Sequence, residues 1–271
     1  METKTARHIL SLSGGKDSMA LAIFMRDRVP QMEYVFCDTN KELPETYDYL
    51  NQAEAYLGKK IIRIEAPRGF DHWLTLFQGY LPSVQARWCT TYLKLKPFED
   101  YVGDYPVINY VGLRADENRD ARISHKPNIT VVYPFKEAGI DYAGVQKILV
   151  DSGIGLPPYT AWGRSRSGCY FCFFQKPIEW VRLLETHPDL FQLAENYEDN
   201  SKVIKGGTFQ WSDEMPLREL RKLENVSRIK SRHEENQKRR WEKRPNKKLI
   251  ETLAGLEDEE HETRACSICH L

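Results

Sequence analysis

The chain has 271 residues, of which 41% are hydrophobic, enough to bury the core of one large domain and too many for general disorder. Lys plus Arg and Asp plus Glu each number 39, so the net charge is zero and predicts binding neither to nucleic acid nor to a membrane. Because no apolar run approaches the ~18 residues of a membrane span, and the N-terminus lacks a secretory pattern, we expect a cytoplasmic protein.

Short apolar runs alternate with amphipathic stretches up to Pro134. The apolar runs predict five strands, at 9–12, 34–37, 60–64, 107–111 and 130–133. The amphipathic stretches predict helices at 18–27, 44–57, 70–78 and 92–101. Strands that alternate with helices indicate a parallel sheet covered on both faces, which is a Rossmann-like α/β fold. Ligands of such sheets bind beyond the carboxyl ends of the strands.

Beyond Pro134 the pattern changes to helices, predicted at 142–152 and 179–197, with a loop rich in Gly, Pro, Arg and Ser between them. We therefore divide the chain into an α/β domain, 1–155, and a mainly helical region, 156–271. Within the second region, residues 218–248 contain thirteen Lys or Arg against five Glu. This basic segment is either a solvated helix or a surface that contacts a polyanion, and Trp241 among its cations suits the second interpretation.

A phosphate-binding motif follows the first predicted strand. The run Ser13-Gly14-Gly15-Lys16-Asp17-Ser18, here called the phosphate loop, also opens the first predicted helix. Two glycines let the backbone turn tightly, and a helix N-terminus presents unpaired N–H groups with a partial positive charge. The lysine adds a full charge and the serines add hydroxyl donors. The run therefore predicts a pyrophosphate cradle, with a spacing shorter than that of the G-x-x-x-x-G-K-[ST] loop.

The phosphate loop resembles the PP-loop of the adenine-nucleotide α-hydrolase superfamily, the ATP pyrophosphatases, which cleave ATP to AMP and pyrophosphate while they adenylate a substrate. Three further segments resemble the branch related to phosphoadenosine-phosphosulfate (PAPS) reductase: CDTNKELPET at 37–46, RWCTTYLK at 87–94 and GLRADENR at 112–119. Asn40 stands where that branch usually has Gly. The resemblance covers roughly residues 7–185, and it implies an adenine-nucleotide α-hydrolase-like sheet.

Two departures count against a sulfonucleotide reductase. Reductases of this branch carry a degenerate phosphate loop, whereas this chain keeps Lys16. They also end in E-C-G-x-H, whereas this chain ends in a pair, Cys266 and Cys269. R-W-C-T-x-x-L-K together with G-C-x-x-C is most similar to the ATP pyrophosphatase component of bacterial DNA phosphorothioation systems of the Dnd and Ssp type, which serve in phage defence. The chain length favours the Ssp-type enzyme or a phage-borne relative.

The resemblance implies ATP and Mg²⁺ at the sheet edge, with residues 13–18, Asp38 and Gly112 around the nucleotide. Catalysis would involve Lys16 and Asp17 of the phosphate loop, together with Lys94 and Arg114. Asp116, Glu117 and Arg119 belong to the same loop as Arg114, and Arg164 and Arg166 are candidates for holding a polyanion. The implied partners are DNA, a cysteine desulfurase as sulfur donor and other subunits of a modification complex. Three alternatives stay open: tRNA thiolation, reduction of a sulfated adenylate, and a nucleotide-sensing subunit without enzymatic activity.

Four of the six cysteines form two Cys-x-x-Cys pairs, Cys169 with Cys172 and Cys266 with Cys269. Four thiolates select zinc or an iron–sulfur cluster. The resemblance favours a 4Fe–4S cluster on Cys89, Cys169 and Cys172, with Cys266 or Cys269 as the fourth ligand or with that position open for sulfide. Four-cysteine zinc on the two pairs is the alternative. Cys37, on a predicted strand, is expected to be a buried core residue.

Overall fold

The structure, a computed structural model, describes residues 5–118, 126–201, 209–212 and 214–242. Within these ranges, five strands form one parallel sheet in the order β3-β2-β1-β4-β5. The strands are β1 Arg7–Ser11, β2 Glu33–Asp38, β3 Ile61–Glu65, β4 Val107–Tyr110 and β5 Ile129–Val132. The prediction of a five-stranded, Rossmann-like α/β fold is confirmed.

Helices connect the strands and continue beyond them. Those of the sheet region are α1 Lys16–Met25, α2 Pro44–Leu57, α3 Phe70–Leu76, α4 Trp88–Thr90 and α5 Lys96–Val102. Those beyond β5 are α6 Pro134–Glu137, α7 Tyr142–Asp151, α8 Pro177–Thr186, α9 Pro188–Asp199, α10 Leu217–Leu220 and α11 Leu223–Glu242. A π-helical turn, Thr91–Leu95, joins α4 to α5, and a 3₁₀ helix, Pro158–Trp162, precedes α8. The helical C-terminal part is thus as predicted, whereas the boundary at 155 stays a prediction. None of the helices described here is long and apolar enough to cross a bilayer.

Alternating side chains of the central strands bury the two faces of the sheet. On β2, Tyr34 and Phe36 belong to the core under α1, α2 and α7, while Val35 and Cys37 belong to the core under α5. This period of two puts apolar side chains on both faces, so the strands read as continuous apolar runs. Each such side chain stabilises the fold by about 1.5–3 kcal/mol through burial.

A third core joins the helical region to the sheet domain. Aromatic side chains dominate it: Phe70 of α3, Trp88 of α4, Phe171, Trp180 of α8 and Trp211 are all buried there. Phe171 stacks on Trp211 with ring centroids 5.3 Å apart, and Phe70 lies 4.6 Å from Phe171. The segment around Phe171 is therefore anchored by packing on both sides.

Two predicted helices differ from the observed ones. The helix predicted at 179–197 is split between α8 and α9 at His187, because Pro188 follows and disfavours helical backbone at the residue before it. His187 accordingly has φ −134° and ψ 64°. The helix predicted at 92–101 begins earlier, at Trp88, and contains the π-helical turn. Turns of this kind widen a helix locally and are common at functional sites.

The strand order places a crevice beside β1. Because β2 lies on one side of β1 and β4 on the other, the strand order reverses here, and a ligand-binding crevice is expected at the carboxyl edge. The phosphate loop follows β1, and the segment from Gly112 to Arg114 follows β4. The fold therefore brings these two predicted site segments to the same point.

Candidate active site

Glycine at position 14 lets the phosphate loop lie against α2. Gly14 has φ +70°, and a Cβ added there would come within 2.6 Å of Cγ2 of Thr46. Both the left-handed backbone and the close approach therefore exclude a larger residue. Gly112 after β4 is similarly confined, because its Cβ would lie 2.9 Å from the Asp17 carbonyl oxygen. Gly14 and Gly112 are thus each confined by a specific neighbour, whereas the predicted approach of the phosphate loop to an anion stays a prediction.

Hydroxyl groups surround the start of α1. Ser13 Oγ lies 3.1 Å from Ser18 Oγ, and Ser18 Oγ donates to the Gly15 carbonyl at 3.2 Å. Gly15 is the N-cap residue, and within the described chain no side chain caps this terminus. The first N–H groups of α1 thus keep their capacity to bind an anion. Lys16 Nζ lies beside them, 3.3 Å from the Tyr142 hydroxyl at the start of α7.

Arg114 joins the two loops through carboxylates. Its Nη1 donates to both Asp17 oxygens at 3.0 and 3.1 Å, and its Nε donates to Asp116 at 3.1 Å. Glu117 Oε1 lies 3.5 Å from Nη2. Although burial opposes the charge, these carboxylates raise the pKa of Arg114 above its ordinary value. A substrate phosphate at Arg114 would have to compete with them. Arg119 lies outside the described residues.

Asp38 ends β2 inside a polar turn. Its Oδ1 accepts from the Asn40 N–H at 2.7 Å and from the Tyr47 hydroxyl at 2.8 Å. Burial, together with the Asp38 charge, raises the pKa of Tyr47, so Tyr47 stays a hydrogen-bond donor. Asn40 has φ +55°, which explains the substitution for glycine, because Asn tolerates left-handed backbone better than most residues. The role of Asp38 towards ribose or Mg²⁺ stays a prediction.

Cys169 lies in a buried polar cluster that the sequence did not predict. Thr39 Oγ1 is 3.2 Å from Cys169 Sγ and donates to Glu42 Oε1 at 3.3 Å. Burial, and then the charge of Glu42, raise the pKa of the Cys169 thiol well above its ordinary value. Burial likewise raises the pKa of Glu42, while the charges of Lys94 and Arg164 oppose that shift. The structure thus brings Lys94 close to Glu42 and Cys169.

Lys94 lies on the π-helical turn, whose backbone contacts β2. Its carbonyl accepts a weak hydrogen bond from Cys37 Sγ at 3.7 Å. Cys37 is buried, and burial raises the pKa of its thiol to about 11. The prediction that Cys37 is a core cysteine is confirmed.

A buried arginine shapes the segment 163–176, here called the Cys loop. Arg164 is 1% exposed and donates to three carbonyls of its own loop: to Arg166 at 3.0 Å, to Gly168 at 2.9 Å and to Cys169 at 2.7 Å. The prediction that Arg164 holds a polyanion is therefore wrong, because its donors face the inside of the loop. The corresponding prediction for Arg166 stays untested.

A buried carboxylate holds the start of the Cys loop. Glu179 of α8 accepts from both the backbone N–H and the hydroxyl of Ser165, each at 2.7 Å, and from the N–H of Lys176 at 2.9 Å. Burial opposes ionisation, but these donors hold the pKa of Glu179 below its ordinary value. Charged side chains, Arg164 and Glu179, thus fix a loop that has no regular secondary structure.

The cysteines predicted to bind metal are only partly brought together. Cys169 and Cys172 share one turn, closed by the Cys172 N–H on the Cys169 carbonyl at 3.0 Å. Arg87 lies 5.1 Å from the Phe174 ring, so the segment of Cys89 borders the Cys loop. In the part of the chain that the structure describes, no three His, Cys, Asp or Glu residues are arranged to hold a metal. The 4Fe–4S cluster and its zinc alternative therefore stay predictions, and Cys266 and Cys269 lie outside the described residues.

The predicted basic segment is largely ion-paired where it is described. Three of its cations bond acids of neighbouring elements: Arg221 with Glu195, Lys230 with Glu185 and Arg232 with Glu214. Ile229 of α11 is buried where this helix packs against α8. Lys238, Arg239 and Arg240 are exposed near the end of α11, where Trp241 is 48% exposed. The described part of the segment, 218–242, packs on α8 through Ile229, and residues 243–248 lie outside the described residues.

Sequence reasoning missed two residues of the crevice, Glu42 and Ser167. Glu42 is 6% exposed, and its Oε2 has no hydrogen-bond partner among the described residues. Its position between the motif residues Thr39 and Pro44 was a usable signal. Ser167 is 8% exposed and lies 3.5 Å from Ser13 Oγ. No local pattern could reveal that contact, because 154 residues separate the two serines.

The described site matches a known domain class. Residues 7–132 match the family model for the phosphoadenosine phosphosulfate reductase domain. This part of the chain, which holds the whole sheet, is therefore similar to a PAPS reductase domain. The matched range contains the phosphate loop, Asp38, Lys94 and Arg114, whereas the Cys loop lies beyond it.

Three relatives share about a quarter of their residues with the chain. Two are uncharacterized proteins of Methanocaldococcus jannaschii, 25% identical over 229 residues and 26% identical over 220 residues. These alignments cover 79% and 75% of this chain but 54% and 45% of the relatives, so the chain spans about half their length. The third, an uncharacterized 37.8 kDa protein of Escherichia phage 186, is 25% identical over 240 residues, covering 67% of this chain and 71% of its own.

A solved structure shares the fold. The crystal structure of PAPS reductase from Candida auris, in a phosphate complex, superposes with a TM-score of 0.50 at 13% sequence identity. The match covers 61% of this chain and 82% of that enzyme. At this level of identity the similarity shows the architecture, and the activity must be argued from the residues of this chain.

Proposed function

We propose that the protein is an ATP pyrophosphatase that adenylates a substrate phosphate so that sulfur can be introduced, with DNA as the substrate. The observation that carries the proposal is the phosphate loop itself. It combines an α1 N-terminus that no described side chain caps, a lysine beside it and glycines packed too closely for any side chain. A triphosphate needs these features, because several negative charges must be held at once.

The proposed reaction is a phosphoryl displacement followed by sulfur entry. A substrate oxygen attacks the α-phosphorus of ATP, the bond to the bridging oxygen breaks, and pyrophosphate leaves. Lys16 and the first N–H groups of α1 stabilise the charge on pyrophosphate. A persulfide, supplied by a partner cysteine desulfurase, then attacks the activated phosphorus and AMP leaves. A second thiol cleaves the sulfur–sulfur bond, which releases the phosphorothioate and forms a disulfide. Mg²⁺ bound with ATP would screen the phosphate charges.

The choice of DNA rests on the motifs 87–94 and 169–172 and on the exposed end of α11. Trp241 next to Arg239 and Arg240 offers a ring for stacking between cations. A nucleic acid bound there would be joined by other subunits of a modification complex. Reduction of a sulfated adenylate is the second candidate, because the matched domain is named for that reaction.

The test is product analysis on the full chain, purified anaerobically and given Mg-ATP with DNA, with tRNA or alone. We expect AMP and pyrophosphate, formed faster with DNA than with tRNA. Lys16→Ala should lower the rate by about 10²- to 10³-fold, because it removes the charge beside the leaving group. Lys147→Ala, which changes an exposed lysine paired with Asp151, is the matched control and should leave the rate unchanged.

Two results would contradict the proposal. Pyrophosphate release that survives in Lys16→Ala would show that the phosphate loop does not hold the leaving group. Thiol-dependent sulfite release from a sulfated adenylate, without any cleavage of ATP, would establish the reductase instead.

A further inference from the structure

Ser167 belongs to the Cys loop, but its side chain lies on the phosphate loop. Its Oγ is 3.5 Å from Ser13 Oγ, which is itself 3.1 Å from Ser18 Oγ. A Cβ added to Gly15 would come within 2.9 Å of the Ser167 hydroxyl. Three hydroxyl groups from two distant segments therefore line the same stretch of backbone, immediately before α1.

The position of Ser167 is fixed by its own loop. Arg164 binds the carbonyls of Arg166 and Gly168, the residues on either side of Ser167. Ser167 itself is nine-tenths buried. Its hydroxyl is thus held at the helix terminus both by its own loop and by the contact with Ser13. It adds a third hydroxyl to the lysine, the glycines and the two serines of the phosphate loop. Because this hydroxyl is already held in place, little side-chain entropy is lost when it binds a ligand.

We propose that Ser167 is a phosphate ligand, so that the Cys loop and the phosphate loop both bind one pyrophosphate group. The inference rests on the proposed function only in naming that group as the β,γ-pyrophosphate of ATP. Gly168 and Cys169 follow Ser167 directly, and Cys169 contacts Thr39 at the end of β2. The proposed ligand and the Cys169 thiol therefore lie two residues apart on one loop.

The experiment measures the Kd of inorganic pyrophosphate and of AMP on the full chain by calorimetry. Ser167→Ala should weaken pyrophosphate binding about ten- to a hundredfold, the loss expected for one hydrogen bond to a charged group. It should leave the Kd of AMP unchanged, because AMP lacks the pyrophosphate. Ser165→Ala is the matched control: its hydroxyl lies in the same loop but bonds Glu179, so it should change pyrophosphate binding less than about twofold. Ser167→Gly should repeat the loss seen with alanine.

Each outcome separates this inference from the proposed function. If wild type binds pyrophosphate and Ser167→Ala binds it equally well, Ser167 is no ligand, while ATP cleavage to AMP can still stand. An equal loss in Ser165→Ala would assign the effect to the shape of the loop and overturn the inference. If Ser167→Ala weakens pyrophosphate binding but wild type forms no AMP, the ligand role holds and the proposed function fails. Wild type that binds no pyrophosphate overturns both.

Discussion

The phosphate loop and the Cys loop meet at one edge of the sheet, but different interactions hold them. Backbone conformation forms the phosphate loop: Gly14 is left-handed, and Gly15 leaves the start of α1 open. Buried charged side chains form the Cys loop, where Arg164 binds three carbonyls and Glu179 accepts the hydrogen bonds of Ser165. One loop is a local structure of six residues, and the other depends on partners along the chain.

The difference decides which side chains are available for chemistry. In the phosphate loop, the Lys16 ammonium lies 3.3 Å from the Tyr142 hydroxyl, outside its own loop, and we propose that its charge serves a ligand. In the Cys loop, Arg164 donates to three carbonyls of its own loop. Its sequence position beside a Cys-x-x-Cys pair nevertheless resembles that of a ligand-binding arginine. An arginine near a functional motif is therefore informative only once the acceptors of its N–H groups are known.

The largest effect on stability should come from removing the buried arginine. Arg164→Ala leaves three loop carbonyls without their donor and deprives Glu179 of a neighbouring positive charge. We expect the free energy of unfolding to fall by about 3–5 kcal/mol, as for other broken buried charge networks. Urea denaturation measures this loss.

Arg228→Ala is the matched control for that variant. Arg228 is exposed on α11, where it bonds Asn225, and its removal should change stability by less than about 0.5 kcal/mol. If the two variants lose the same stability, side chains do not hold the Cys loop, and the contrast between the loops fails.

The phosphate loop should respond instead to a change in backbone. Gly14→Ala places a Cβ 2.6 Å from Thr46 Cγ2 at φ +70°, which should cost about 2–4 kcal/mol and weaken pyrophosphate binding more than tenfold. Gly58→Ala, at φ +65° in open space, isolates the backbone strain and should cost only about 1–2 kcal/mol, with binding unchanged. Thermal unfolding and calorimetry on both variants check this, and equal costs would show that contact with Thr46 does not matter.

The same contrast explains what the sequence could predict. The sheet and the phosphate loop follow from local patterns, because apolar runs and glycine spacing determine nearby backbone. Cys37 could be assigned to the core for the same reason. Ser167 and the structural role of Arg164 could not be predicted, since each depends on tertiary contacts, whereas the position of Glu42 within a motif was a usable signal. The break at Pro188 was predictable in principle, but the continuous helical pattern on either side hid it.

Two buried glutamates of the helical region show that even similar side chains are tuned by their donors. Ser165 and Lys176 hold the pKa of Glu179 below its ordinary value despite burial. Burial raises the pKa of Glu198 to about 7, although the N–H groups of Trp211 and Leu217 donate to it. Neighbouring acids, Asp199 and Glu195, add to that rise. Hydrogen-bond donors determine the direction of the pKa shift at Glu179, whereas burial determines it at Glu198.

The smallest predicted effect is a pH dependence of stability at Glu198. The pKa of Glu198 is higher in the folded state than in the unfolded state, where it is about 4.3. The protonated side chain therefore contributes its full stability below about pH 4.3, and this contribution is lost as the pH rises towards 7. Glu198→Gln cannot ionise, so wild type should lose about 1–3 kcal/mol more than this variant between pH 5 and pH 8. Urea denaturation at the two pH values measures the difference. Parallel losses would mean that the two N–H donors keep Glu198 ionised in the fold, as Glu179 is, and that both glutamates hold their loops as carboxylates.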